Sequence, residues 1–304
     1  MLRNALLWAS TNPTLAERLP RYGFVKRATR RFMPGEELID ALAAADRLGT
    51  TGVNSTITLL GEHLTSLEEA DRVVAQYRDA LRTIEERDLP TEISVKPTQI
   101  GIDFGVAEAA ERLAALCSAT ESLVWVDMEG SAYVDRTLEL FLVVKEGAAN
   151  VGLCLQSYLK RTEADLDALL PLDPAIRLVK GAYNEPPSVA FAKKAEVDRG
   201  FAVLTQKLLR ARHNGGLGRP VIATHDPRML GEANRIAYEL GLPKERYEIA
   251  MLFGIRPSEQ KRLAATGHQV RVLISYGESW FPWYMRRLAE RPANLWFVAK
   301  QLVG

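Results

Sequence analysis

Apolar positions follow two alternating patterns along this chain. Short runs that are apolar almost throughout recur at 53–60, 92–97, 123–128, 151–156, 176–181, 221–225, 247–252 and 270–275. Between them, apolar residues return every three or four positions at 67–87, 106–119, 134–146, 164–170, 190–214, 229–240 and 258–265. A strand covered on both faces reads as an unbroken apolar run, whereas a helix lying on a sheet buries a single stripe. The alternation therefore predicts an α/β fold of eight strands, each followed by a helix, which points to a (β/α)8 barrel. A doubly wound sheet is the competing arrangement, but no run leads into a GxGxxG or GxxxxGK[ST] phosphate loop, and a count of eight favours closure. Ahead of the first run, 1–48 reads as helical, with Leu15, Leu19, Leu38, Leu42 and Leu48 recurring and a turn at Pro34-Gly35. We read 1–48 as an N-terminal helical cap and 49–304 as the barrel, together forming one domain.

The last helix breaks the apolar-stripe rule. Gly277 permits a tight turn, Ser279 is a residue type that caps helices, Pro282 fits a first helical turn and Pro292 stops or bends the helix. On a helix starting near Ser279, Trp283, Arg286, Arg287 and Glu290 share one face at i, i+3, i+4 and i+7. Two guanidinium forks beside an aromatic ring suit fixed recognition of a carboxylate, against the plainer reading of a solvated face with an Arg–Glu pair.

Composition narrows the classes without choosing among them. With 304 residues, 47% of them hydrophobic, and a formal net charge of +1, the chain can bury a large core and has no polyelectrolyte character, which argues against nucleic acid as the main partner. Cys117 and Cys154 lack CxxC spacing, so a reduced, cytoplasmic protein is the simpler reading. No stretch approaches the ~18 apolar residues of a spanning helix, and the sequence leaves peripheral membrane contact and homo-oligomerisation open.

In a barrel, chemistry sits at the C-terminal ends of the strands. Those ends carry Glu62, Lys96, Asp127, Glu129, Gln156, Arg177, Lys180, Tyr183, Thr224, His225 and Asp226, and the last run leads to Arg286 and Arg287. Charged side chains in apolar strands need partners, so this ring is more telling than the same residues on helices. Lys96 reads as an edge lysine, a carboxylate partner or a Schiff-base amine. Lys180 is out of phase with Arg177, Val179 and Gly181 and reads as outward or structural. Asp127 takes the inward role, and Glu129 stays open because both face inward only if the backbone bends. The four histidines show no HxH or HExxH spacing, so no metal site is expected. No Ser or Cys sits beside a usable base in a recognisable nucleophile motif. The remaining options are Schiff-base chemistry on an oxo acid, or a cofactor that carries the reaction.

Seven ordered segments resemble the bacterial one-domain proline dehydrogenases. They are Ser94-Val-Lys-Pro97, Val126-Asp-Met-Glu129, Leu155-Gln-Ser-Tyr158, Arg177-Leu-Val-Lys-Gly-Ala-Tyr183, Ala223-Thr-His225, Met251-Leu-Phe-Gly254 and Arg286-Arg-Leu-Ala-Glu-Arg-Pro292. The resemblance implies a distorted (β/α)8 barrel with its last helix over the active site. It also implies FAD as cofactor, oxidation of L-proline to Δ1-pyrroline-5-carboxylate by hydride transfer to flavin N5, and a quinone as electron acceptor. Carried across, Arg286, Arg287 and Lys96 hold the substrate carboxylate, Asp127 orients Lys96, and Tyr183 and Leu252 wall the ring pocket. Glu62 pairs with Arg286 as a gate, and Glu290 joins the same helix face. Arg177 hydrogen-bonds near N5, while Gln156, Val179, Lys180, Gly181, Thr224 and His225 line the cofactor. The family pattern is broken at Ala250, where a glutamine is usual, at Asn184, and at Leu273, which replaces a pocket tyrosine. The rival readings are a class I aldolase-like lyase using Lys96, a flavin dehydrogenase of a proline analogue, and a non-catalytic ligand-binding barrel.

Overall fold

The computed structural model describes residues 29–290 except His63 and Leu217, together with Trp8, Asn12 and Leu15, and leaves out the side chains of Arg286, Ala289 and Glu290. Most of the expected cap before residue 29, and the stop at Pro292, lie outside the described residues. Eight parallel strands close in sequence order: β1 Asn54–Leu59, β2 Thr91–Val95, β3 Val124–Val126, β4 Val151–Gln156, β5 Ala175–Val179, β6 Arg219–Ala223, β7 Glu248–Leu252 and β8 Gln269–Tyr276. The helices among the described residues are α1 Leu38–Gly49, α2 Leu67–Glu86, α3 Val106–Cys117, α4 Val134–Lys145, α5 Thr162–Leu169, α6 Lys194–His213, α7 Pro227–Glu239, α8 Pro257–Ala265 and α9 Trp280–Glu290.

Alternation along each strand separates two cores. Ile57, Ile93, Val124, Leu153, Ile176, Ile222, Ile249 and Val272 point outward and merge with the helix stripes into one continuous buried cluster. Inside the barrel the buried apolar cluster shrinks to Trp125, Ala175, Val221 and Ala250. Element ends follow local chemistry. The Ser66 hydroxyl accepts from the Glu69 N–H to cap α2, and the Asp226 side chain accepts from the Arg228 N–H to cap α7. Pro227 and Pro257 occupy the first positions of α7 and α8, where the missing N–H has no partner to lose. These two helices therefore start one or two residues before the predicted 229 and 258.

The two end helices depart from a regular barrel, in which the helix after β8 would close the outer ring. Here α1 fills that place, packing its buried Ala41, Leu42, Ala44 and Ala45 on β1 and β8. α9 belongs to a separate cluster in which Trp280, Phe281, Trp283, Tyr284, Met285 and Leu288 pack with Phe32, Met33, Leu60 and Ile255. Leu60 follows β1 and Ile255 follows β7, so this cluster lies over the C-terminal mouth of the barrel, where the resemblance puts the last helix. Burying each of these large side chains contributes about 1.5–3 kcal/mol, enough to hold the helix there rather than in the ring.

Candidate active site

The barrel interior is built in layers from charged residues that alternate with the outward apolar ones. At the N-terminal end, Glu92, Arg219, Glu248 and Arg271 form a closed ion network. Arg219 bridges Glu92 and Glu248, and Arg271 bridges the same two carboxylates at 3.3 and 3.0 Å. The Trp125 indole N–H donates to Glu92 at 2.7 Å. Its ring lies near two guanidinium groups, with Arg177 5.0 Å and Arg219 5.8 Å from the ring centroid. Gly152, the register partner of Trp125, leaves room for that ring, since a Cβ there would stand 2.7 Å from it. The sequence pattern did not single out this floor. Its signal was a charged or aromatic residue in phase with the inward positions of otherwise apolar runs.

Above the floor lie the expected site residues. Asp127 accepts from the Lys96 ammonium at 3.1 Å through Oδ2, and from Ser94 at 2.9 Å and Arg177 through Oδ1. Arg177 also donates to the Ser94 hydroxyl at 2.8 Å. Burial draws the Lys96 pKa down, but Asp127, with Tyr183, Glu62 and Glu129, more than reverses this and holds it above the ordinary lysine value. Burial likewise raises the Asp127 pKa, and the charges of Lys96 and Arg177 outweigh it, leaving the carboxylate below its usual range. Two cations share the one Asp127 carboxylate, with Glu62 and Glu129 also acting on Lys96. Asp127 is saturated with donors and ionised, so it positions its neighbours rather than acting as a base. Lys96, held as an ammonium, is a poor Schiff-base nucleophile.

The strand ends that carry these groups are locked together. After the last β1–β2 pair, Ile57 and Ile93, the strands part, and the Tyr77 hydroxyl bridges the gap by accepting from the Leu59 N–H at 2.9 Å and donating to the Ser94 carbonyl at 2.8 Å. Gln99 accepts from the Lys96 N–H at 3.2 Å and donates to the Leu59 carbonyl at 2.8 Å. Glu129, left open by the sequence, is buried and accepts from the Thr98 N–H and hydroxyl at 2.9 and 2.8 Å. Burial pushes its pKa up, partly offset by Lys96.

The residues expected to line a cofactor gather on and just after β4, β5 and β6. Gln156 donates to the Met128 carbonyl at 2.9 Å, while its buried Oε1 has no hydrogen-bond partner among the described residues. Gly181 has φ +105, and a Cβ there would stand 2.1 Å from the Tyr158 ring. Val179 ends β5 half-buried, and its carbonyl accepts from the Ser157 N–H at 2.8 Å. Lys180 points out of the barrel to Asp198 and Asp226, which Lys194 and Arg228 also engage. The Thr224 hydroxyl accepts from the Asp226 N–H at 3.1 Å. His225 Nε2 accepts from the Leu252 N–H at 2.8 Å, which ties Leu252 to the loop after β6. The Tyr158 ring fills the space beside Gly181, so what fits a polar cofactor here is the orphan Gln156 acceptor, with the Arg177 guanidinium nearby on β5.

Leu252 and Leu273 are register partners on β7 and β8, both half-buried at the mouth. Glu62 and Tyr183 are half-buried and close enough to Lys96 to act on its charge. Ala250 faces the barrel interior in the same cluster as Trp125. Arg287 lies with its Cζ 5.9 Å from the centroid of the Trp283 ring, as the shared helix face requires. The side chains of Arg286 and Glu290 lie outside the described residues. Among the described residues, no group of acidic, His or Cys side chains could hold a metal ion.

Comparison with known proteins bears on family and fold. A family model described as proline dehydrogenase matches residues 41–300. Proline dehydrogenase 1 of Bacillus subtilis is 36% identical over 306 residues, covering 100% of this chain and 99% of that protein. Proline dehydrogenase of Deinococcus radiodurans is 34% identical over 312 residues, covering 100% and 98%. Among solved structures, proline utilization A from Bdellovibrio bacteriovorus, inactivated by N-propargylglycine, superposes with a TM-score of 0.81 at 22% identity. That match covers 95% of this chain and 36% of the longer protein, and it bears on the fold alone.

Proposed function

The chain belongs to the proline dehydrogenase family and has that activity, and from this premise we propose that it oxidises L-proline to Δ1-pyrroline-5-carboxylate with FAD as cofactor and a quinone as final electron acceptor. The observation that carries the proposal is the buried Lys96–Asp127–Arg177 cluster, in which two cations share one carboxylate and Lys96 is kept as an ammonium. FAD, when bound, supplies the hydride acceptor. Lys96, with Arg286 and Arg287 on α9, binds the proline carboxylate. Asp127 holds Lys96 and Arg177 at fixed distances, so little reorganisation accompanies binding. Positive charge around the carboxylate opposes an ammonium at the adjacent ring nitrogen and favours the neutral amine from which hydride leaves. Leu252, Leu273 and Tyr183 wall the ring and exclude water, and Glu62 closes over the site by pairing with Arg286.

Gln156, Arg177, Val179, Gly181, Thr224 and His225 hold the cofactor, with Lys180 fixing the β5 end from outside through Asp198 and Asp226. The unit spans 1–48 and 49–304 as one domain in the cytoplasm, reaching quinone at the membrane surface; among the described residues no helix is long and apolar enough to cross a membrane. The test is to incubate the FAD-loaded protein with L-proline and a soluble quinone and analyse the product by mass spectrometry. The expected product has lost two hydrogens. Unchanged proline defeats the proposal.

A further inference from the structure

Segment 29–36 crosses the barrel mouth between the loops that follow β7 and β8. Its Arg31 carbonyl packs on Gly254, after β7, where an added Cβ would stand 1.5 Å from that oxygen. Phe32 and Met33 are buried in the α9 cluster, with the Phe32 ring centroid 6.1 Å from that of Tyr284. At its end, Glu36 makes two contacts, one with the turn before α9 and one with the first residue of α9. The Gly277 N–H donates to the Glu36 carbonyl at 2.9 Å, and the Trp280 indole N–H donates to the Glu36 carboxylate at 2.9 Å. Gly254 and Gly277 both have positive φ, 72° and 112°, so both loops adopt backbone forms suited to this contact.

We propose that segment 29–36 is a strap that sets the height and angle of α9 over the barrel, with Glu36 as its positioning residue. α9 is held by its own cluster apart from the main core, and its first turn follows closely on the Gly277 turn. A helix fixed only by apolar packing can slide or tilt by fractions of an ångström with little loss, whereas two directional hydrogen bonds to one residue fix its start. Glu36 is not among the residues assigned to substrate or cofactor, so its effect passes through Trp280 and Gly277 to the arginines further along α9. A hydrogen bond to a charged acceptor corresponds to a roughly 10- to 100-fold factor in an equilibrium, and the strap applies that factor to the clamp's geometry.

The inference rests on the reading that α9 supplies the carboxylate clamp, and the experiment separates the two. Wild type, Glu36→Ala, Glu36→Gln and Trp280→Phe are compared by hydrogen–deuterium exchange and by steady-state and rapid-reaction kinetics with proline. In Glu36→Ala, amides 280–288 should exchange about tenfold faster while those of β2 to β6 are unchanged. KM should rise about tenfold with the flavin-reduction rate at saturation falling no more than about threefold. Glu36→Gln keeps an acceptor oxygen and should restore most of both. Trp280→Phe should match Glu36→Ala, and combining Glu36→Ala with Trp280→Phe in one protein should add little further. Unchanged exchange at 280–288, or faster exchange with an unaltered KM, overturns the strap. A wild type that does not oxidise proline overturns the substrate reading instead, and the exchange measurement still decides whether Glu36 holds α9.

Discussion

Replacing Asp127 by asparagine should expose how strongly the barrel's upper layer depends on one carboxylate. The substitution keeps the shape, and the amide oxygen can still accept from Ser94 and Arg177, but its NH2 then faces the Lys96 ammonium, donor against donor. At the observed 3.1 Å, the Lys96–Asp127 attraction is about 5 kcal/mol with an effective dielectric of ~20. Both side chains are largely buried, 10% and 17% exposed, so solvent relieves little of the loss. Breaking such a pair costs about 3–5 kcal/mol, which for a chain of this size lowers Tm by about 5–8 °C. The pH dependence has a definite sign. The folded Asp127 pKa is depressed, so its contribution is present above the unfolded carboxylate value of about 3.9 and is lost as pH falls through the lower folded value. Thermal melts of wild type and Asp127→Asn from pH 7 to pH 3 should therefore converge on the acid side. A variant within about 2 °C of wild type at pH 7, or a gap that does not narrow in acid, refutes the reasoning.

Three further outcomes follow from individual residues. Glu62→Ala and Arg286→Ala should each lower kcat/KM for proline at least about tenfold, and a double-mutant cycle should show coupling of about 1 kcal/mol or more; simple additivity removes the gate. Leu273→Tyr should shift kcat/KM in favour of proline over hydroxyproline by about tenfold, while an unchanged ratio shows that Leu273 does not face the ring. Gly181→Ala adds a Cβ at φ +105 against the Tyr158 ring, forcing the ring or the β5 end to shift, and should cut the flavin retained through gel filtration by more than half while the far-ultraviolet spectrum stays native; full flavin content shows that the Gly181–Tyr158 contact does not shape the cofactor site.

The barrel was legible because eight doubly covered strands leave eight continuous apolar runs, and residues such as Lys96, Asp127 and Arg177 stand out in them. Alternation alone placed Lys180 outside, where it meets Asp198 and Asp226. Several features were less visible for physical reasons. Glu92, Arg219, Glu248 and Arg271 sit at or near strand starts, and only barrel closure brings residues so far apart in sequence into one network. Tyr77 lies on a helix stripe and looks like ordinary core until the parting of β1 and β2 gives its hydroxyl a role. Glu129 takes its place from the course of the backbone after β3, which periodicity does not encode. That α1 rather than α9 completes the outer ring depends on which apolar surface each finds, a question of packing between distant segments.

The most direct test of the central claim is the visible spectrum of the purified, FAD-loaded protein mixed anaerobically with L-proline. The oxidised flavin absorption should bleach in a single turnover with L-proline, should persist with D-proline at the same concentration, and should return on adding a soluble quinone. A protein that takes up no flavin, or whose bound flavin stays oxidised in excess L-proline, contradicts the account.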